Sequence, residues 1–262
     1  MSLVGGVFVV FFLLCLFALV FLRYVSLPPG PALSLSPFPR RLLLVTAHPD
    51  DEAMFFSPLL SRLRLQGHEV HLLCLTDGGG EGGGCGVTRR RELSAAAGAL
   101  GVPGPRVRLA PASAGLRDGA REAWDPAVAA AVVAREVGRV RPAAVATFDA
   151  AGVTGHPNHC ATHWAVVAAL AAAAAARGGR GAGPHPTLLL LETLPLWLRF
   201  LGPLAALAPL RPRSTLAVAP GPWPWVHAHR AMLLHASQYV WHRRLWVMFS
   251  SYSVFNAFHE GT

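Results

Sequence analysis

The sequence predicts an α/β protein, a three-layer, mainly parallel sheet with helices on both faces, preceded by one transmembrane helix near the N-terminus. Three observations predict it. From residue 41 onward, apolar runs of strand length alternate with longer stretches of helical spacing; the polar clusters fall just after those runs; and residues 3–22, LVGGVFVVFFLLCLFALVFL, hold no charge and no proline. Alternation of this kind marks parallel strands joined by helical crossovers. A helix needs about 20 apolar residues to cross the hydrocarbon core.

Segment 1–25 is the expected anchor. No basic residue precedes the apolar run and no A-x-A-like site follows it, which sets it apart from a cleaved signal peptide. Arg23, Arg40 and Arg41 lie on its C-terminal side, so the positive-inside rule puts the remaining chain in the cytosol. Residues 26–40 are a Pro-rich linker. The globular domain is expected over 41–262, enough chain to bury one full core. Within it the pattern predicts strands at 41–46, 70–76, 107–110, 143–148 and 188–192, and helices at 52–66, 89–100, 126–138 and 158–177. A sheet so assembled is Rossmann-like, and such sheets bind ligands beyond the carboxyl ends of their strands.

Composition narrows the function. The net charge of +9 comes from arginine alone, with no lysine, and charged residues make up 14% of the 262. Apart from the short WHRRLW at 241–246, no basic run is interleaved with aromatics, so nucleic acid is not an expected partner; a membrane surface is the natural use of the charge. Cys15, Cys74, Cys85 and Cys160 form no CxxC pair, as suits a reducing compartment. DGGGEGGGCG at 77–86 lacks both phosphate-loop spacings and is expected to be a flexible loop or low complexity.

The chemistry lies at two strand ends. Thr46-Ala47-His48-Pro49-Asp50-Asp51-Glu52 follows the first strand, and Asp149 with His156-Pro157-Asn158-His159 follows a later one. His48 and Asp51, three apart at a strand-to-helix turn, can converge on one cation, and His156 and His159 offer two more imidazoles. Two histidines and one carboxylate with positions left open suit a hydrolytic divalent-metal site, zinc above all. Asp50 is then free beside the metal as a general base. The competing reading is that the acids merely charge a helix N-terminus.

Ala47-His48-Pro49-Asp50-Asp51-Glu52, with Asp149, Gly155-His156-Pro157-Asn158-His159 and Arg89-x-x-Glu92 before Leu100-Gly101, resembles the zinc-dependent LmbE/PIG-L family of N-acetylglucosamine deacetylases. The resemblance spans roughly 40–240 and implies His48, Asp51 and His159 as metal ligands, Asp50 as base, and His156 as the group that steadies the oxyanion or protonates the leaving amine. Asn158 stands where many bacterial members have an acid. A single anchor ahead of the domain is similar to the branch that removes acetyl from GlcNAc-phosphatidylinositol, at the cytoplasmic face of the endoplasmic reticulum, early in glycosylphosphatidylinositol synthesis. It implies that glycolipid and the membrane as partners. Two other functions compete: deacetylation of another N-acetyl sugar conjugate, and a catalytically silent lipid-binding subunit, which would lack a ligand or the base.

Arg89 and Glu92 either hold the sugar or pair on a helix; Asp149 either orients His156 or His159 or serves a turn. His235, in His235-Ala236-Ser237-Gln238, resembles a C-terminal family element near the active site. The aromatic tail from 241 is either core or an interfacial segment. The stretch 194–210 is a packed loop or a membrane-dipping element, its prolines arguing against a second span.

Overall fold

The structure is a computed structural model and describes residues 41–79, 86–119, 121–176, 185–207, 215–218 and 225–261. The transmembrane helix expected over 3–22 and the linker over 26–40 lie outside the described residues, as does 80–85 of the glycine-rich segment.

Seven strands form one sheet in the order β3-β2-β1-β4-β5-β7-β6. β1 (Arg41–Thr46), β2 (Glu69–Cys74), β3 (Val107–Leu109), β4 (Ala144–Phe148) and β5 (Thr187–Leu191) run parallel. β6 (Thr215–Val218) and β7 (Phe255–Gly261), which the sequence pattern did not anticipate, close one edge antiparallel. β1 is central, with both neighbours parallel to it, and is therefore covered on both faces. That is why its sequence is a continuous run, Leu42-Leu43-Leu44-Val45, with no side chain exposed, and not an alternation. Burial of each of these side chains contributes about 1.5–3 kcal/mol.

The helices are α1 (Asp51–Met54), α2 (Ser57–Leu65), α3 (Gly86–Ala99), α4 (Pro126–Val140), the short turn α5 (Gly152–Gly155), α6 (Pro157–Ala176), α7 (Leu196–Arg199), α8 (Trp225–Leu234) and α9 (Trp241–Phe249). α4 and α6 pack together over β1 and β4; α2, α3 and α8 form the other layer, over β2, β3 and β7. Asp125 caps α4, its Oδ1 accepting the N–H groups of Ala127 and Val128.

The single helix expected over 52–66 is two helices. Pro58 has no N–H to give the Met54 carbonyl, so the ladder breaks at Phe55 and Phe56. The C-terminal region satisfies what the break leaves open: Trp246 Nε1 donates to Met54 O (3.4 Å), Asn256 Nδ2 donates to Phe55 O (2.7 Å), and Asn256 Oδ1 accepts the Leu59 N–H (3.1 Å). The aromatic tail is thereby divided. β7 and Tyr252 belong to the core, while α9 buries only one face.

Strand order reverses direction between β1 and β4, the switch point where doubly wound sheets open a crevice. His48 follows β1 and His156 and His159 follow β4, so the topology delivers all three to one place.

Candidate active site

The acids of the first motif do not cap α1. Asp50 occupies the N-cap position but makes no capping bond, and its backbone sits at φ 134°, ψ −18°, a region that costs on the order of 1–3 kcal/mol for a residue with a side chain. Asp51 Oδ2 accepts the N–H groups of Ala47 (2.9 Å) and His48 (2.8 Å), both preceding the helix. Its Oδ1 is left to face His159 Nε2 at 3.2 Å. Asp50, Asp51 and Glu52 are all buried.

His159 is fixed from three sides. Its Nδ1 lies 3.0 Å from the Gly152 carbonyl, which as acceptor assigns the proton to Nδ1 and turns Nε2 towards Asp51. The Phe148 ring stacks on it at 4.2 Å between centroids and 7° between planes, and Phe55 meets it edge-on at 5.4 Å. Gly152 is held in turn by Asp149, whose Oδ1 accepts the N–H groups of Ala151 (3.1 Å) and Gly152 (3.0 Å) and whose carboxylate also accepts both donors of Thr193 at 2.6 Å. Asp149 thus reaches His159 only through Gly152, and it ties the β4 turn to the segment after β5.

One ring nitrogen from each of His48, His156 and His159 lies within 4.8 Å of the others. The rings stand 4.9 to 5.2 Å apart, and the Asp51 carboxylate closes the group, 3.7 Å from His48 Nδ1. His156 is therefore a full member of the cluster and not only its neighbour. The donor set suits a divalent cation of zinc's type: imidazole nitrogens and one carboxylate, the second ring nitrogen of His159 on a carbonyl and the second oxygen of Asp51 on backbone amides. Charge points the same way. Burial works against a proton on His48, yet the Asp51 carboxylate and the contact with Asp118 lift its pKa to about 10. Asp51, despite burial, is held well below the usual carboxylate range by His159 and His48. The site demands positive charge, which a bound cation also supplies. Burial, with His48 and His159 beside it, pushes His156 down to about 4, so in this state it is a neutral imidazole.

Asp50 has a different set of neighbours. Burial raises its pKa, opposed by Arg243, whose Nε lies 2.9 Å from Oδ2. Its N–H donates to Glu52 Oε2 (3.2 Å), and Glu52 Oε1 lies 2.6 Å from His235 Nε2, both of those side chains fully buried. Burial disfavours charge on His235, but Glu52 outweighs it and raises the pKa. Gln238 Nε2 follows at 3.4 Å from His235 Nδ1; Gln238 Oε1 accepts from Arg89, which also donates to the Gly78 carbonyl and pairs with Asp118 at 3.3 Å. Asp118 Oδ1 lies 3.1 Å from His48 Nε2. The network runs from the third carboxylate of the motif around to its histidine.

Arg89 and Glu92 do not pair with each other. Glu92 accepts the N–H (2.8 Å) and hydroxyl (2.5 Å) of Ser237, pinning the loop that holds Gln238. Asn158 donates from Nδ2 to Arg117 O (2.9 Å), a bond that an ionised acid at this position could not make. Sequence reasoning missed Asp118 and Arg243. Asp118 lies after β3, at the same sheet edge as the other clusters, so the rule that singled them out applied to it as well. Arg243 was visible only as one of two arginines in WHRRLW. Asp118 also walls a polar cavity of about 490 Å³ lined by Asp77, Arg90, Arg117 and Glu122.

A doubly wound sheet whose switch point gathers three imidazoles and two buried aspartates defines a class of hydrolytic enzyme centre with a donor set fit for a divalent cation. Comparison with known proteins narrows the class: residues 43–170 match the family described as PIG-L, GlcNAc-PI de-N-acetylase. The N-acetylglucosaminyl-phosphatidylinositol de-N-acetylase of Bos taurus is 35% identical over 218 residues, 83% of this chain and 82% of that one. The chain belongs to this deacetylase family. The 1D-myo-inositol 2-acetamido-2-deoxy-alpha-D-glucopyranoside deacetylase of Nakamurella multipartita is 39% identical over 163 residues, 50% of this chain and 55% of that one. Among solved structures, N,N'-diacetylchitobiose deacetylase from Pyrococcus horikoshii shares the fold, with a TM-score of 0.58 at 17% identity, over 85% of this chain and 84% of that one.

Proposed function

We propose that the chain hydrolyses the N-acetyl group of GlcNAc-phosphatidylinositol to glucosaminyl-phosphatidylinositol and acetate, as a single-pass protein of the endoplasmic reticulum membrane with its catalytic domain in the cytosol. The observation that carries the reading is a buried, non-capping Asp50 standing beside the His48, Asp51, His156 and His159 cluster at the switch point. The match to the bovine protein over most of both chains supports the substrate, and the apolar run at 3–22 supports the anchor.

His48, Asp51 and His159 would hold the cation, zinc by its donor preference. Bound there, a divalent cation acidifies a water to a pKa of about 7 and polarises the amide carbonyl. Asp50 takes the proton of the attacking water: burial raises its pKa, which strengthens it as a base, and Arg243 opposes the rise. Glu52, through the Asp50 N–H, and His235 hold that carboxylate's backbone in its strained conformation. His156, on the side of the cluster open to solvent, offers a ring N–H to the developing oxyanion, and the departing amine leaves with the proton that Asp50 took up. Asp118 steadies His48 and, with Arg90 and Arg117, lines the cavity that would receive the rest of the substrate.

The full chain, purified with and without chelator and supplied with GlcNAc-phosphatidylinositol, should release free amine and acetate only when metal is present. The likeness to the inositol conjugate deacetylase of Nakamurella multipartita favours a second reading, a soluble N-acetyl sugar conjugate as substrate. Turnover of that conjugate with none of the glycolipid would replace the first reading by the second.

A further inference from the structure

The helix α9 is apolar on two sides. At 3.6 residues per turn, Arg243, Trp246 and Val247 share the side turned to the protein, where Val247 is fully buried and Arg243 reaches Asp50. Trp241, Leu245 and Met248 fall on the opposite side and are 72%, 47% and 54% exposed. Arg244 and His242 flank that outer arc, both exposed. The patch continues into α7: Phe200, directly after it, meets Trp246 at 5.2 Å between ring centroids, and Leu196 and Trp197 are 68% and 64% exposed. A face this apolar on a folded domain marks a contact surface.

The charge of the sequence interval that carries it selects the occupant. Between Glu192 and Glu260 the sequence contains six arginines and not one carboxylate; all 14 acids of the chain lie outside that interval. A second copy docked face to face would set this cationic segment against itself. Exposed Trp241 and Arg244 on a short amphipathic helix, with Trp197 on α7, are the composition of a segment lying in a lipid headgroup region. We infer that the outer face of α9, together with Leu196, Trp197 and Phe200, is seated on an anionic lipid surface, as a membrane contact separate from the run at 3–22.

The seat is close to the chemistry. Arg243 and Trp246 leave the inner face of the same helix for Asp50 and for Phe55, and Phe55 meets His159, so one helix diameter, about 10–12 Å, and two ring contacts, Trp246 to Phe55 at 5.5 Å and Phe55 to His159 at 5.4 Å between centroids, separate the lipid face from the cluster.

The run at 3–22 contains no tryptophan, so tryptophan fluorescence of the intact chain reports the domain alone. The experiment reconstitutes the full chain in vesicles of phosphatidylcholine with phosphatidylserine, including phosphatidylcholine brominated on its upper acyl chain, and measures quenching. The contact predicts quenching that the Trp197→Phe/Trp241→Phe variant loses in large part, and that weakens in purely zwitterionic vesicles. Quenching unchanged in that variant overturns the inference. So does absence of quenching with emission that shifts with protein density, the mark of a second copy on the face, or protection of the face only by an added protein. In a second variant, Leu245→Glu/Met248→Glu, turnover of glycolipid in vesicles should fall roughly tenfold or more while turnover of a short-chain soluble analogue stays at the wild-type rate. The quenching arm needs no activity, so a failed reaction and a failed lipid contact are read separately.

Discussion

Gly152 and Gly155 make a matched pair for testing how His159 is positioned. Both have positive φ, +59° and +76°. An alanine at either position carries the left-handed penalty of about 1–2 kcal/mol, which in a protein of this size lowers Tm by about 2–4 °C per kcal/mol. The surroundings differ. A Cβ on Gly155 meets nothing within 4 Å, whereas one on Gly152 would lie 2.8 Å from His159 Cβ and 3.1 Å from both the backbone N and the Sγ of Cys160. No flexible side-chain end can retreat there, so the first turn of α6 must move, and a misplacement of about 1 Å at a reacting centre costs on the order of 10²-fold in rate. Gly152→Ala should therefore lose metal content and roughly 10²-fold in kcat/KM, while Gly155→Ala shows the shared loss of Tm and retains its metal. Metal stoichiometry, thermal unfolding and turnover are measured on both. Equal metal content and equal activity in the two variants would refute the claim that the Gly152 turn sets His159.

The two aspartates should separate by the same readouts. Asp50→Asn keeps its metal and loses roughly 10²–10⁴ in kcat, whereas Asp51→Asn loses metal, with activity partly restored by excess zinc; a metal-free Asp50→Asn would reverse the roles. Glu52→Ala leaves buried His235 without its partner and should destabilise by about 3–5 kcal/mol; a shift within 1 °C of wild type in thermal unfolding would count against that pair. Asp118→Asn should weaken metal affinity or activity by about 10–100-fold through His48, measured by competition with a chelator. Chelation of the wild-type protein should abolish amine release, and zinc should restore it.

The layering and the site were legible to different depths. The parallel strands were plain because a central strand must be apolar along its whole length, and Leu42 to Val45 display that. The motif residues were legible because strand ends at one sheet edge meet wherever the alternation is parallel. What escaped is contact over long separation: Asn256 bridging the α1–α2 break, Glu52 pairing with His235, and Arg243 reaching Asp50. Nothing local in WHRRLW distinguishes an arginine facing a buried aspartate from one facing solvent. The Pro58 break was visible, but the helical spacing of apolar residues on both sides concealed it. Asp149 shows both of its readings at once: it serves the β4 turn and Thr193, and through the Gly152 of that turn it reaches His159 at one remove.

The bond from Glu52 to His235 and the pairing of Asp50 with Arg243 also bear on the order in which a nascent chain acquires its chemistry. During synthesis His48, Asp51, His156 and His159 are all made before residue 160, and β1 to β4 can pair as soon as they emerge, since domains begin to fold from the N-terminal side at about 5–20 residues per second. The counter-ions of Asp50 and Glu52 arrive some eighty residues later, a lag of several seconds at that pace. In that interval two carboxylates destined for burial have no cation facing them, so they favour the open, hydrated arrangement and keep the first turn after β1 from closing. The ribosome thus delivers the His48, Asp51, His156 and His159 side chains first and the partners that secure Asp50 and Glu52 last, and a chain released early would hold all four in an unformed first turn and cluster.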